Sequence, residues 1–402
     1  KLVFSDTLLP NVQYALEDEM EKSWLKLSNT MIRKRITKPE TWEQLFRTVI
    51  YISENEEYGA LPPVIDHLAK YVKGNPASRS VDYLYQFYLN EVEHKFVDKN
   101  GLIWKAPYST WTLQTGEKDV YFDIGEGDLI GLSRGDSMIV VGMKGRFFHN
   151  KGYLEASGGQ VFWGRVGIPE YDLHAFLSTW TLDVYQGSFR ADSATLIAPE
   201  LYETPIKGLF EDRLSARSSR NAQYPRFASH NIYALLQKVF PEVHFRGGLG
   251  VVGPQYYGLS PDSAMARVQF TYQGDTIITL KSGRFAFRDS LLSSKRVEVT
   301  AHLGEDSIFH PYCEMRFDPR SGQVRIMRYK TGLGLSSFTD SYHAMDINVD
   351  QLVWTQGTAK LNFRNLNLGS DKAAVFESKQ YFRTMRMEQL AGLQQNHPLR
   401  EL

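Results

Sequence analysis

The spacing of apolar residues changes character at Asp98-Lys-Asn-Gly101, and that switch limits the chain to two kinds of structure in a fixed order. Before it, apolar side chains recur every three or four positions, which puts them on one face of a helix. After it, short β-branched and aromatic runs are broken by glycines, the pattern of strands joined by tight turns.

In the first part, Val12, Leu16, Met20, Trp24 and Leu27 make one apolar stripe. Thr37-Lys-Pro-Glu40 then supplies a capping hydroxyl, an early proline and an acidic residue, a helix start signal. Behind it Trp42, Leu45, Phe46, Val49 and Ile50 form a second stripe. Pro62-Pro63 opens a third helix with Ile65, Leu68 and Val72, closed by Gly74-Asn-Pro76, and Val81, Leu84, Tyr88 and Val92 mark a fourth. The basic run Met31-Ile-Arg-Lys-Arg35 is expected at a solvated helix end, where cations meet the negative end of the dipole.

In the second part, Val120–Ile124, Ser137–Met143, Gly145–His149, Gln160–Trp163, Thr181–Tyr185 and Ala194–Ala198 read as strands, and Asn231–Phe240 as a helical interruption. Strands resume at Ala266–Tyr272, Asp275–Leu280, Arg296–Thr300, Gln323–Arg328, Met345–Val349 and Ala359–Phe363. Phe382, Met385, Leu390 and Leu393 return to helical spacing. The expected fold is therefore α+β, mainly β: a helical domain over 1–105, a first β-module with a terminal helical linker over 106–240, a second β-module over 241–372, and a C-terminal helix over 373–402. Stacked antiparallel modules, a sandwich and a solenoid-like stack all fit this pattern. In Gly135-Asp-Ser137, Ala191-Asp-Ser193, Gly274-Asp-Thr276 and Glu305-Asp-Ser307 an Asp leads into an apolar run. The spacing is irregular, so repeated hairpin chemistry explains the pattern better than a short-period solenoid.

Composition narrows the function classes. With 46 basic and 46 acidic residues the formal charge is zero, which argues against nucleic acid as a partner. Cys313 is the lone cysteine, which excludes an intrachain disulfide and a cysteine-rich zinc site. No apolar run reaches the roughly 18–20 residues of a membrane-spanning helix. The longest, Met138-Ile-Val-Val-Gly-Met143, is strand-sized.

Two motifs resemble catalytic signatures and fail on context. Gly131-Leu-Ser-Arg-Gly135 fits a nucleophile elbow, but the following Asp136-Ser-Met-Ile-Val-Val141 reads as a strand where the elbow needs a helix. Gly248-Leu-Gly-Val-Val-Gly253 has dinucleotide-loop glycines, but Pro254 follows and no helix is evident. A glycine-rich turn or bulge is the expectation there. The densest set of reactive groups is Asp306, His310 and Cys313 with Asp340 and His343 downstream. A thiol nucleophile needs a base and an orienting group beside it, while a lone cysteine more often packs as a small hydrophobe. The 22 Tyr and 23 Phe bunch in pairs such as Phe147-Phe148 and Tyr256-Tyr257, which suits strand cores and also sugar-stacking surfaces. No catalytic residue, metal ligand or cofactor is assigned. The binding candidates are Tyr256, Tyr257, Asp306, His310, Asp340 and His343.

Several segments also resemble parts of very large, uncharacterised cell-envelope proteins of Bacteroidetes-type bacteria. They are Gly164-Arg-Val-Gly-Ile168, Ala191-Asp-Ser-Ala-Thr195, Pro205-Ile-Lys-Gly-Leu-Phe-Glu-Asp212, Tyr224-Pro-Arg-Phe227, Glu305-Asp-Ser-Ile-Phe-His-Pro311, Asp340-Ser-Tyr-His343 and His397-Pro-Leu399. The resemblance implies an exported protein, periplasmic or outer-membrane associated, of which this chain is one portion. The start at Lys1 and the abrupt end at Leu402 fit that expectation. The leading expectation is a non-enzymatic envelope scaffold or binding protein with protein partners in a larger assembly. The alternatives are a glycan-binding or glycan-active β-protein and a lipid or lipopolysaccharide carrier with a β-groove.

Overall fold

The structure is a computed structural model and describes residues 18–55, 61–115, 120–199, 204–214, 222–230, 234–235, 240–260, 265–288, 291–366 and 374–379. Helices α1 (Asp18–Arg33), α2 (Pro39–Asn55), α3 (Leu61–Gly74) and α4 (Ala77–Glu91) come first, and antiparallel strands follow from Lys95 onward. The periodicity switch at residue 98 thus marks the change of structure to within a few positions. The fold is mainly β with an N-terminal helical part. Among the described residues no helix is long and apolar enough to cross a membrane.

The first three helices pack along the expected stripes, whereas in α4 only Leu84 of the expected stripe is buried, beside Tyr83 and Phe87. Leu27 and Met31 of α1, Trp42, Leu45, Phe46 and Val49 of α2, and Ile65, Leu68 and Val72 of α3 are all buried. Val12 and Leu16 lie outside the described residues. The left-handed backbone of Arg35 ends α1. The neighbouring Lys34 Nζ donates to the Lys73 carbonyl at 2.9 Å, a cation set against the carbonyl end of α3.

The chain forms two compact units. One comprises residues 1–197 and 207–226, and the other 198–206 and 227–402. In the first unit the long hairpin Val120–Ser133/Asp136–Phe148 is extended by Tyr153–Phe162. That third strand pairs with Thr179–Asp183 along one half and His174–Leu177 along the other. The segments expected as separate strands at 137–143 and 145–149 are thus one strand, because Gly145 continues the ladder opposite Ala156. Gly145 also needs to be small, since a β-carbon there would collide with the Glu155 carbonyl and Ala156 Cα. Helix α4 reaches this sheet through Asn90, whose amide donates to the Lys95 carbonyl (2.6 Å) and whose Oδ1 bonds His149 Nδ1 (2.6 Å).

The second unit carries the hairpins Val243–Val252/Gln255–Leu259, Ala266–Tyr272/Asp275–Ser282 and Leu291–Leu303/Asp306–Asp318. The last of these is extended by Gln323–Arg328, Gln351–Thr355 and Leu361–Arg364 in turn. Two expectations change here. The stretch 231–240 was expected to be helical, yet Ala234–Leu235 pairs as a strand with Arg246–Gly247. Val375–Ser378, placed in the C-terminal helix, is a strand on Met345–Asn348, where Phe376 pairs across from Ile347. Phe382, Met385, Leu390 and Leu393 lie outside the described residues.

Candidate functional site

The reactive cluster sits on the hairpin Leu291–Leu303/Asp306–Asp318 and the strand Phe338–Asp340 beside it. In a regular strand residues three apart face opposite sides. Here Val299 pairs with His310 and Val297 with Cys313, so one strand carries an extra residue and a bulge turns both side chains into the core. The bulge includes Pro311, which has no amide hydrogen for the ladder.

His310 and Cys313 are in contact, but their bonding is structural. His310 Nε2 donates to the Ser336 carbonyl at 2.8 Å, which fixes the tautomer and leaves Nδ1 as acceptor. Nδ1 then takes the Tyr312 amide (3.0 Å) and the Cys313 thiol (3.1 Å). Burial lowers the His310 pKa and pushes the thiol up to about 12, with Arg328 opposing it weakly. A thiol that holds its proton at neutral pH is a poor nucleophile.

Asp340 and His343 pair at the next turn. The buried Asp340 carboxylate accepts from the Tyr342 amide (2.9 Å), the His343 amide (3.3 Å) and His343 Nδ1 (2.8 Å). These bonds close the turn from within. Asp306 belongs to the same corner, where its carboxylate accepts from the Ser341 hydroxyl at 2.8 Å. Asp306, Asp340 and His343 are therefore brought together, and His310 with Cys313 is held apart from them inside the sheet. Beside this corner Leu303, Ile308, Ile347, Leu361, Phe363 and Phe376 line an apolar cleft of about 400 Å³ that Asp340 and His343 also border.

Tyr256 and Tyr257 point to opposite faces of Gln255–Leu259, as adjacent strand residues must. Tyr257 is buried under the Arg284 guanidinium, 3.6 Å from its ring centroid. The two catalytic look-alikes are hairpins. Ser133 ends one strand, Arg134 and Gly135 turn with positive φ, and Asp136 opens the next strand opposite Ser133. Gly248 and Gly250 lie in a ladder with Leu259 and Tyr257, and Gly253-Pro254 makes the turn. The Asp-Ser/Thr pattern follows hairpin turns at Asp136, Asp275 and Asp306 but falls mid-strand at Asp192.

Sequence reasoning missed a buried charge cluster in the first unit. Arg165 donates to Asp136 (2.8 Å) and to Asp212, while Asp212 also accepts the Arg213 amide (2.7 Å). One cation thus serves two acids. Burial pushes Asp212 up to about 7, helped by the negative Asp136 and opposed by Arg165. His149 is also fully enclosed, and burial brings it down to about 3. Spacing gave no signal for the cluster, because its members are separated by four intervening strands.

An open groove of about 740 Å³ also lies on this unit. Its lining includes a cross-strand row, Asp123 opposite Arg146 opposite Glu155 opposite Thr181 opposite Arg190. Half-buried Tyr121, Phe148 and Tyr153 run parallel to it. Arg146 covers the Tyr121 ring (4.5 Å) and Lys151 the Phe148 ring (5.1 Å).

Compared with protein-family models, curated proteins and solved structures, the chain matches none. Among the described residues no group of three or more His, Cys, Asp or Glu is placed to hold a metal ion.

Proposed function

We propose that the chain is a non-enzymatic binding scaffold of a bacterial cell envelope and works within a larger assembly. The observation that carries this reading is the bonding of the reactive cluster. The Cys313 thiol is buried and protonated, His310 is bound through both ring nitrogens, and Asp340 spends its carboxylate on a turn. Groups committed in this way stabilise a sheet and are not poised for proton transfer. The envelope assignment is supported by the resemblance of segments such as Gly164–Ile168 and Glu305–Pro311 to large envelope proteins. The test is capture from native envelope extract with this chain as bait, with proteins, lipids and glycans read by mass spectrometry. A stoichiometric protein partner is expected. Substrate turnover by the purified chain, abolished by mutating His310 or His343, would overturn the reading.

The groove on the first unit favours glycan binding as a second reading. It combines two carboxylates, Asp123 and Glu155, on either side of Arg146, with aromatic side chains beside an open sheet face. A sugar would have to displace the cations that cover those rings. Retention of the chain on immobilised envelope polysaccharide, lost with Arg146→Ala and Glu155→Ala together, is the expected result. Unchanged retention in that double variant counts against this reading.

A further inference from the structure

A second depression, on the unit that contains Tyr257, has a different chemistry. It encloses about 620 Å³ and is lined by Tyr257, Arg284, Ala286, Ser293, Lys295 and Arg296, together with Ser282, Gly283 and Ser294. Three of these residues are cations and none is acidic. Among the described residues Arg284, Lys295 and Arg296 form no ion pair, whereas nearby Lys281 is paired with Glu298 at 2.7 Å. Three unneutralised cations around one hollow repel one another, and an anion relieves that repulsion.

The depression is built rather than incidental. Its floor is Ala286 opposite Ser293, two small residues in register on adjacent strands. The Arg284 guanidinium sits over the Tyr257 ring, 3.6 Å from its centroid, which restricts where its donors can lie. Two buried hydroxyls fix the backbone on both sides. Ser294 Oγ donates to the Arg284 carbonyl (2.8 Å), and Ser282 Oγ donates to the Arg296 carbonyl (2.6 Å). Lys295 and Arg296 project from a register shift between Ser294 and Val297, which turns two consecutive cations outward.

We infer that this depression binds a ligand through a phosphoryl group. A carboxylate satisfies one Arg fork, whereas a dianionic phosphoryl group has enough oxygens for three converging cations. The hollow is of the size that takes a small organic ligand, larger than an isolated phosphate needs. The chemistry is shared by a soluble phosphate ester and a lipid phosphate headgroup. The site stands whether or not the chain has a protein partner.

The full chain is titrated calorimetrically with inorganic pyrophosphate, and its sedimentation is measured with phosphatidylcholine vesicles with and without phosphatidic acid. Saturable pyrophosphate binding is expected, weakened at least tenfold by Arg284→Gln and by Lys295→Gln with Arg296→Gln. Lys207→Gln, outside the depression, is expected to bind like the parent chain. Pyrophosphate binding without sedimentation assigns the site to a soluble phosphate ester. Sedimentation only with phosphatidic acid, reversed by pyrophosphate, assigns it to a headgroup. The substitutions are at exposed side chains, and circular dichroism confirms that each variant is folded. Absence of binding to both probes overturns the inference, as does binding that the Arg284 and Lys295/Arg296 variants leave unchanged.

Discussion

Replacing Arg165 with Met tests the buried cluster directly, because Met keeps the apolar stem and removes the charge. In the variant Asp136 keeps the Ser137 amide (2.9 Å) and Asp212 keeps the Arg213 amide (2.7 Å), but both lose the Arg165 guanidinium. Breaking a buried pair by removing one partner costs about 3–5 kcal/mol. Arg165 has only 16% side-chain exposure and Asp212 7%, so little screening reduces that figure. The full cost applies at pH 8, where Asp212 is ionised in the parent chain. At pH 5 Asp212 already carries its proton, since burial holds its pKa near 7. Only the Asp136 pair is then lost, and the cost falls to about 2 kcal/mol. The assay is urea unfolding followed by tryptophan fluorescence, which reports the first unit because all tryptophans except Trp354 lie there. With a slope of about 2 kcal/mol per M, the midpoint should drop by about 2 M at pH 8 and about 1 M at pH 5. His149 titrates in both proteins and cancels in the difference. A drop below about 0.5 M at pH 8, or equal drops at both pH values, would refute this account of the cluster.

Other outcomes follow from the same kind of reasoning. The raised pKa of Asp212 gives stability that is present below pH 4 and lost as pH rises through 7, while the lowered pKa of His149 gives stability that is complete above pH 6.5 and lost on acidification. The two slopes oppose between about pH 4 and 6.5, so Asp212→Asn should add a loss of about 1.4 kcal/mol per pH unit on acidification, read from urea midpoints; an unchanged slope would contradict it. Cys313 should react with a disulfide reagent at pH 8 about a thousandfold more slowly in the native chain than after denaturation, and equal rates would show an accessible thiolate. Gly145→Ala should destabilise the first unit by more than about 2 kcal/mol, because the clash is with backbone that cannot rotate away; an unshifted melting temperature would sink that claim. Asp340→Ala should cost about 1–3 kcal/mol in the second unit by leaving the turn amides unpaired, measured by thermal unfolding with Trp354 as reporter.

Much of the fold was legible because periodicity is a local property. Ala266–Tyr272 and Gln323–Arg328 alternate cleanly and are strands with the expected limits. The strand Asp306–Asp318 was legible only at its start, where Asp306 leads into an apolar run, because His310, Pro311 and Glu314 look like chemistry and the bulge breaks the two-residue period. Helical spacing misled at 234–235, where cross-strand pairing decides the outcome. The candidate site was legible only as a list of residue types. That Asp340 and His343 pair follows from a turn three residues long, but the meeting of Arg165 with Asp136 and Asp212 depends on tertiary closure. The cations around Tyr257 were equally hidden, since Arg284 and Lys295 come from different strands.

The Arg165 cluster also decides where the chain tolerates being cut. Asp136, Arg165 and Asp212 belong to one unit, yet residues 198–206 between Arg165 and Asp212 are counted with the other. A fragment ending at Ile197 would lack the strand Ile206–Arg213 and with it the carboxylate that its buried guanidinium meets. Such a fragment should express as inclusion bodies, and one extended to Arg226 should be recovered in the supernatant. Dissection into independently folding pieces therefore has to follow the charges in the interior rather than the gaps between strands.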